Sequence, residues 1–299
     1  MNWLMWRLYR KTILVSALAL AVYVALLAVT GLQVSNSYKQ AVANGTLSTF
    51  TIPMIVSALS YLGLVFPILL GIFWGAPLLS KEYEDGTTKI VWTQSLTRRS
   101  WLSRKLLWIL AATVLYGAVL SVSANWWIQA APTLYQDRMQ PLQFTTQGLM
   151  PLMGSLFAVA VGASMGAVTR RIMPALAWTL CIIVGLQFCV WFLVRNHYQT
   201  PITYTETVLL KQTESRVANK NGQYPSAGSW ILSHTNSGAE SCTQTRLANT
   251  GQTCVINTKY VYQPAERFWK FQIIEAILYT VLTAVALVAT YSAVLRRDA

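Results

Sequence analysis

Three of the chain's ten carboxylates, Glu82, Glu84 and Asp85, and six of its 23 lysines and arginines crowd into the stretch SKEYEDGTTKIVWTQSLTRRSWLSRK, Ser80 to Lys105. A cluster of this kind in an otherwise greasy chain suits charged contact with a partner rather than nucleotide chemistry. No Gly-x-x-x-x-Gly-Lys-Ser/Thr loop occurs, so nothing recognisable grips the phosphates of ATP. The few carboxylates are not arranged to hold a nucleotide's magnesium. Any ATP that drives this protein is expected to be hydrolysed on another subunit, and the chain itself is expected to carry no cofactor, metal or catalytic site.

The remaining reactive side chains are sparse. An intramembrane enzyme needs a Ser/His pair or two acids within one apolar region. Here His197 and His234 both lie in a polar segment, and no two acids share an apolar one. Ion-coupled carriers keep costly ionisable groups inside the membrane. Only Glu275 qualifies, about one turn inside its apolar segment and within helical reach of Lys270 or Arg267. Pairing or snorkelling at the interface is the expectation for it.

Cys242 and Cys254 lie in the same polar segment and close a loop of about 13 residues, for which the chain-entropy model gives roughly 3 kcal/mol of stabilisation if they bridge. With His197 and His234 they could also form a four-ligand zinc set, but the spacing matches no familiar ligand pattern. A disulfide is expected. Cys181 and Cys189, eight residues apart on one helix, stand about 12 Å apart and cannot bridge.

The elements that position these residues follow from composition. The chain has 299 residues, 54% of them hydrophobic and only 11% charged, with 12 Trp, which describes a membrane protein. At about 20 apolar residues per crossing, six helical spans are predicted: 12–33, 53–79, 106–128, 148–169, 172–194 and 271–295. The first is too long for a signal peptide, and no small-residue cleavage site clearly follows it.

Short cytoplasmic loops are enriched in Lys and Arg. Placing the N-terminus inside gives 13 of the 23 basic residues to the cytoplasmic side and only Lys39 and Arg138 to the two short outer loops. The expected location is therefore the cell membrane, multi-pass, with both termini cytoplasmic. The net charge of +13 is dispersed among spans and loops, which argues for anionic lipid headgroups and against nucleic acid as the partner.

The expected fold class is all-α: a polytopic membrane protein with six transmembrane helices, an N-terminal interfacial helix and a polar external subdomain between helices 5 and 6. Residues 1–11 place Leu4, Met5, Trp6, Leu8 and Tyr9 on one arc and Arg7, Arg10 and Lys11 opposite, a pattern that can lie in the headgroup layer. The division reads as 1–195 for spans one to five with a cytoplasmic coupling segment at 80–105, 196–268 for the external subdomain, and 269–299 for the sixth span and tail. Gly71-x-x-x-Gly75 and Gly162-x-x-x-Gly166 let helix backbones approach, either within the chain or across a dimer seam. Pro67 and Pro77 are expected to bend the second span.

In the charged stretch the second span should run past the membrane to Asp85 and stop at Gly86, a residue suited to the left-handed position after a helix. Thr87 or Thr88 can then cap a short helix carrying Ile90, Val91, Trp92 and Leu96. The pattern Glu82-x-Glu84-x-Gly86-Thr87, then Trp92-x-Gln94-Ser95-x-Thr97-Arg98, Trp101 and Lys105, resembles the cytoplasmic coupling segment of type-2 ABC exporter permeases, with the closest likeness to those of actinobacteria and similar bacteria. The stretches GIFWGAPLL, GASMGAVTRR and YQPAERFWKFQIIEA are similar to segments of the same family. Tyr83 departs from it, standing where many relatives have a basic residue.

The resemblance implies a permease subunit that pairs with a second permease, as homodimer or heterodimer, each docked on a cytoplasmic ABC ATPase subunit carrying the ATP and magnesium. Glu82, Glu84, Gly86, Thr87, Trp92, Gln94 and Arg98 would form the ATPase-coupling site. The alternative is a membrane-anchored sensor or scaffold with a ligand-binding external subdomain, which has no need of a helix-breaking acidic protrusion.

Overall fold

The computed structural model describes residues 2–45, 58–59, 61–86, 97–130, 138–211, 214–221, 225, 228–237 and 254–296. Helix α1 is Asn2–Ala43; α2 (Val65–Leu70) and α3 (Pro77–Glu84) are joined by a π turn, Gly71–Gly75. Then follow α4 (Arg98–Ala130), the short α5 (Pro141–Thr145), α6 (Met150–Thr169) and α7 (Ile172–Cys189). Four strands, β1 (Ile202–Lys211), β2 (Glu214–Asn221), β3 (Trp230–Ser237) and β4 (Cys254–Gln263), precede α8 (Phe268–Arg296). Among the described residues six helical stretches are long and apolar enough to cross a membrane, the number predicted. The fold is a mostly helical polytopic membrane protein.

Helix α6 is the hub, packed by α8, α4, α7 and both halves of the second span. Its glycines make this possible. A Cβ on Gly75 would lie 2.6 Å from the Val159 carbonyl oxygen, and one on Gly162 would strike the Gly71 carbonyl and sit 2.8 Å from the Gly75 Cα. The two Gly-x-x-x-Gly motifs therefore face each other inside one chain.

The second span is reshaped by a π turn rather than a plain proline kink. Pro77 has no N–H for the Phe73 carbonyl four residues earlier, and the backbone N–H of Ala76 reaches back five residues to Gly71 O at 3.0 Å. The basic start of the chain differs from expectation too: residues 2–11 continue into the first span as one 42-residue helix, with no turn marking off an interfacial segment.

Between α7 and α8 the polar segment folds as an antiparallel sheet of order β2-β1-β4-β3. Its strands are rich in Thr, Val, Ile and Tyr, side chains that suit a pleated surface. The sheet is fastened to the helices by side chains at its base. Gln263, fully buried, donates to the Gln199 carbonyl at 2.7 Å, and Arg267 donates to the Thr200 carbonyl and to Gln263 Oε1, each at 2.7 Å. Arg138 donates to the Ala265 carbonyl and covers the Phe268 ring at 4.8 Å.

Candidate functional site

The candidate site is the end of the second span. Pro77 opens α3 directly after the π turn, and Ser80 is buried with its hydroxyl on the Ala76 carbonyl at 2.8 Å. The helix closes as the sequence implies. Asp85 N donates to Lys81 O, Gly86 N to Tyr83 O, and Gly86 takes φ +69° with no atom of the described residues within 4 Å of where a Cβ would go. Thr87, Trp92 and Gln94 lie outside the described residues; Arg98 is the first residue of α4.

The acids of this helix end are tied to other spans. Glu82 Oε1 meets Lys105 Nζ at 2.5 Å, and Lys105, 1% exposed, also lies 5.1 Å over the Trp101 ring. Burying an ammonium on α4 requires an opposite charge beside it, and Glu82 is that charge. Glu84 Oε2 accepts the backbone N–H of Ile172 at 2.8 Å. This places a carboxylate on one of the unsatisfied donors at the first turn of α7, the favourable end of its dipole.

Tyr83 completes the clasp. Its ring lies 4.9 Å beneath the Arg170 guanidinium. Arg170 is a non-glycine residue at φ 56°, its N–H closing α6 on Gly166 O at 3.2 Å, and Arg171 begins the return into α7. Tyr83 thus has a local use: an aromatic face for the arginine of the α6–α7 turn. Consecutive residues 82, 83 and 84 contact α4, the α6–α7 turn and α7.

The opposite end carries a polar knot that the sequence did not reveal. Glu275 pairs with Arg195, not with Lys270 or Arg267. The guanidinium Nε and Nη2 reach Oε1 and Oε2 at 2.6 and 3.0 Å, and Nη1 donates to the Pro141 carbonyl at 3.2 Å. Both side chains are fully buried, and the guanidinium lies 4.2 Å over the Phe144 ring. Nearby, Gln272 accepts from Leu149 N at 3.0 Å and donates to Phe144 O at 3.1 Å. Burial, with the Glu275 carboxylate close by, pushes the Tyr198 phenol above its ordinary pKa, so it stays neutral.

Cys242 lies outside the described residues, and Cys254 is placed only as the first residue of β4, its backbone opposite Leu210. Cys181 and Cys189 are free thiols. Among the described residues no group of three His, Cys, Asp or Glu side chains could hold a metal. The arrangement is mechanical: a helix end that leaves the bundle at a glycine and grips three neighbouring elements as it leaves.

Residues 17–195 match the family model described as ABC-2 membrane transporter related. No curated protein and no solved structure matches the chain.

Proposed function

Because the chain belongs to the ABC-2 membrane transporter related family, and is therefore a transporter's membrane subunit rather than an enzyme, we propose that it is the permease of an ATP-driven exporter. ATP is hydrolysed by a separate cytoplasmic ABC ATPase subunit, and a second permease subunit, identical or different, completes the pathway. Both termini and the Gly86 hinge face the cytoplasm; the sheet faces outside.

The observation that carries the reading is the three-way clasp at residues 82–84. A force applied by the ATPase to the chain beyond Gly86 reaches α4 through Glu82 and Lys105, and α7 through Glu84 and the Ile172 N–H. The α6–α7 turn follows through Tyr83 and Arg170. One push is thereby shared by four helices, which is what alternating access needs. A sensor or scaffold has no use for such a linkage. Export, and a cargo of amphipathic or hydrophobic character, are proposed from the family likeness.

Reconstitution tests the division of labour. The purified chain in liposomes is expected to hydrolyse no ATP, and hydrolysis with transport is expected once the partner ATPase is added. Sustained hydrolysis by the chain alone, free of contaminating ATPase, would refute the proposal.

A further inference from the structure

A groove of about 430 Å³ runs between α1, the second span and α4. One wall is Lys11, Thr12, Val15, Ser16 and Ala19; the facing wall is Phe66, Leu69, Leu70, Phe73 and Trp74; Tyr116 forms the floor, its hydroxyl donating to the Ser16 carbonyl at 3.2 Å. Each wall covers eight helical steps, about 12 Å of rise. The far end is closed where the Tyr23 and Phe66 rings meet at 4.8 Å. Val15, Leu69 and Phe73 are exposed along the open side, which in a bilayer faces acyl chains.

Two features distinguish this groove from an ordinary lipid-facing furrow. Lys11 is an exposed cation at the groove's end nearest the N-terminus, at the start of the first candidate membrane span. Trp74 is only 5% exposed, yet among the described residues its indole N–H has no hydrogen-bond partner. Trp74 sits in the π turn, a local irregularity that frequently marks functional sites. A buried donor without an acceptor is costly, and natural structures rarely leave one.

We propose that this groove is a specific site for one anionic phospholipid. Its phosphate pairs with Lys11, an ester carbonyl accepts the Trp74 N–H, and one acyl chain fills the slot toward Phe66. The volume fits a chain better than a small ring, because a cavity of about 150 Å³ already accommodates benzene. The apolar walls continue directly from the cation, which matches a lipid and not a free phosphate ion.

The test uses the full-length protein in mild detergent, exposed to vesicles of phosphatidylglycerol or phosphatidylcholine with the same acyl chains and examined by native mass spectrometry. One phosphatidylglycerol is expected to be retained about fivefold more than phosphatidylcholine, the effect of a single basic residue near the surface. Lys11→Gln, at an exposed position, should erase that preference. Trp74→Phe keeps the packing and should lower retention of both lipids by roughly two- to tenfold while the preference persists. Equal retention of the two lipids by the parent would overturn the proposal, as would indifference to both substitutions. It would also be overturned if Val15→Cys and Phe73→Cys variants cross-linked to a second copy of the chain with lipid displaced.

Discussion

Replacing Glu275 by Gln isolates the buried ion pair at the sheet end of the bundle. The parent carboxylate accepts two guanidinium hydrogen bonds, at 2.6 and 3.0 Å, with both side chains fully buried. A neutral amide keeps the shape and can accept one of these, but it leaves Arg195 charged inside the protein with the Pro141 carbonyl and the Phe144 ring as its other company. Removing one partner of a buried pair costs about 3–5 kcal/mol. Replacing both, as Glu275→Leu with Arg195→Met, should lose far less, because apolar side chains of similar volume remove the charge problem altogether. What persists is the Pro141 carbonyl without its donor, about 1–3 kcal/mol. Denaturant unfolding of the detergent-solubilised protein, followed by Trp fluorescence, measures all variants on one scale. If Glu275→Gln stays within about 1 kcal/mol of the parent, or if the double variant is as unstable as the summed singles, the pair does not hold this end together and the reasoning fails.

Two further outcomes follow from the structure and the sequence. Gly162→Val should lower stability by at least about 1–3 kcal/mol and reduce the amount of inserted protein, because its new atoms overlap the backbone at Gly71 and Gly75; normal expression and melting would mean that α6 and the second span do not pack as described. Cys242 and Cys254 should be recovered as one cross-linked fragment in non-reducing peptide mapping, whereas alkylation of both thiols in native membranes would exclude the bridge.

The parts of the fold governed by local physics were legible in the sequence. Length of apolar run gave all six spans, and the left-handed Gly86 followed from the need to end a helix between acids and threonines. Features made by distant residues were not. Closeness in sequence points Glu275 to Lys270 or Arg267, while its partner Arg195 lies 80 residues away. Sequence separations of 88 and 23 residues likewise hid the contacts of Glu84 with Ile172 and of Glu82 with Lys105. The Gly-x-x-x-Gly motifs announced close helix approach without saying to what; only the assembled bundle shows them opposed within one chain. Polar Ser, Thr and Asn composition marked the segment before α8 as separate. Its strands went unread because the β-branched and Tyr alternation of ITYTETVLLK and CVINTKYVYQ is diluted by polar residues.

If force enters through the Gly86 hinge, Gly86→Val interrupts it with the least collateral damage. Among the described residues no atom lies within 4 Å of a Cβ placed there, and the backbone cost is that of φ +69° for a β-branched residue, about 1–3 kcal/mol. Glu82→Ala would be less clean, since it strands the buried Lys105. The decisive measurement is ATP-dependent transport per inserted molecule, with capture of the ATPase subunit measured on the same membranes. Gly86→Val protein is expected at parental levels in the membrane, with at least a tenfold loss of transport and weakened ATPase capture. Parental transport with parental capture would contradict it and reduce the hinge to an ordinary loop.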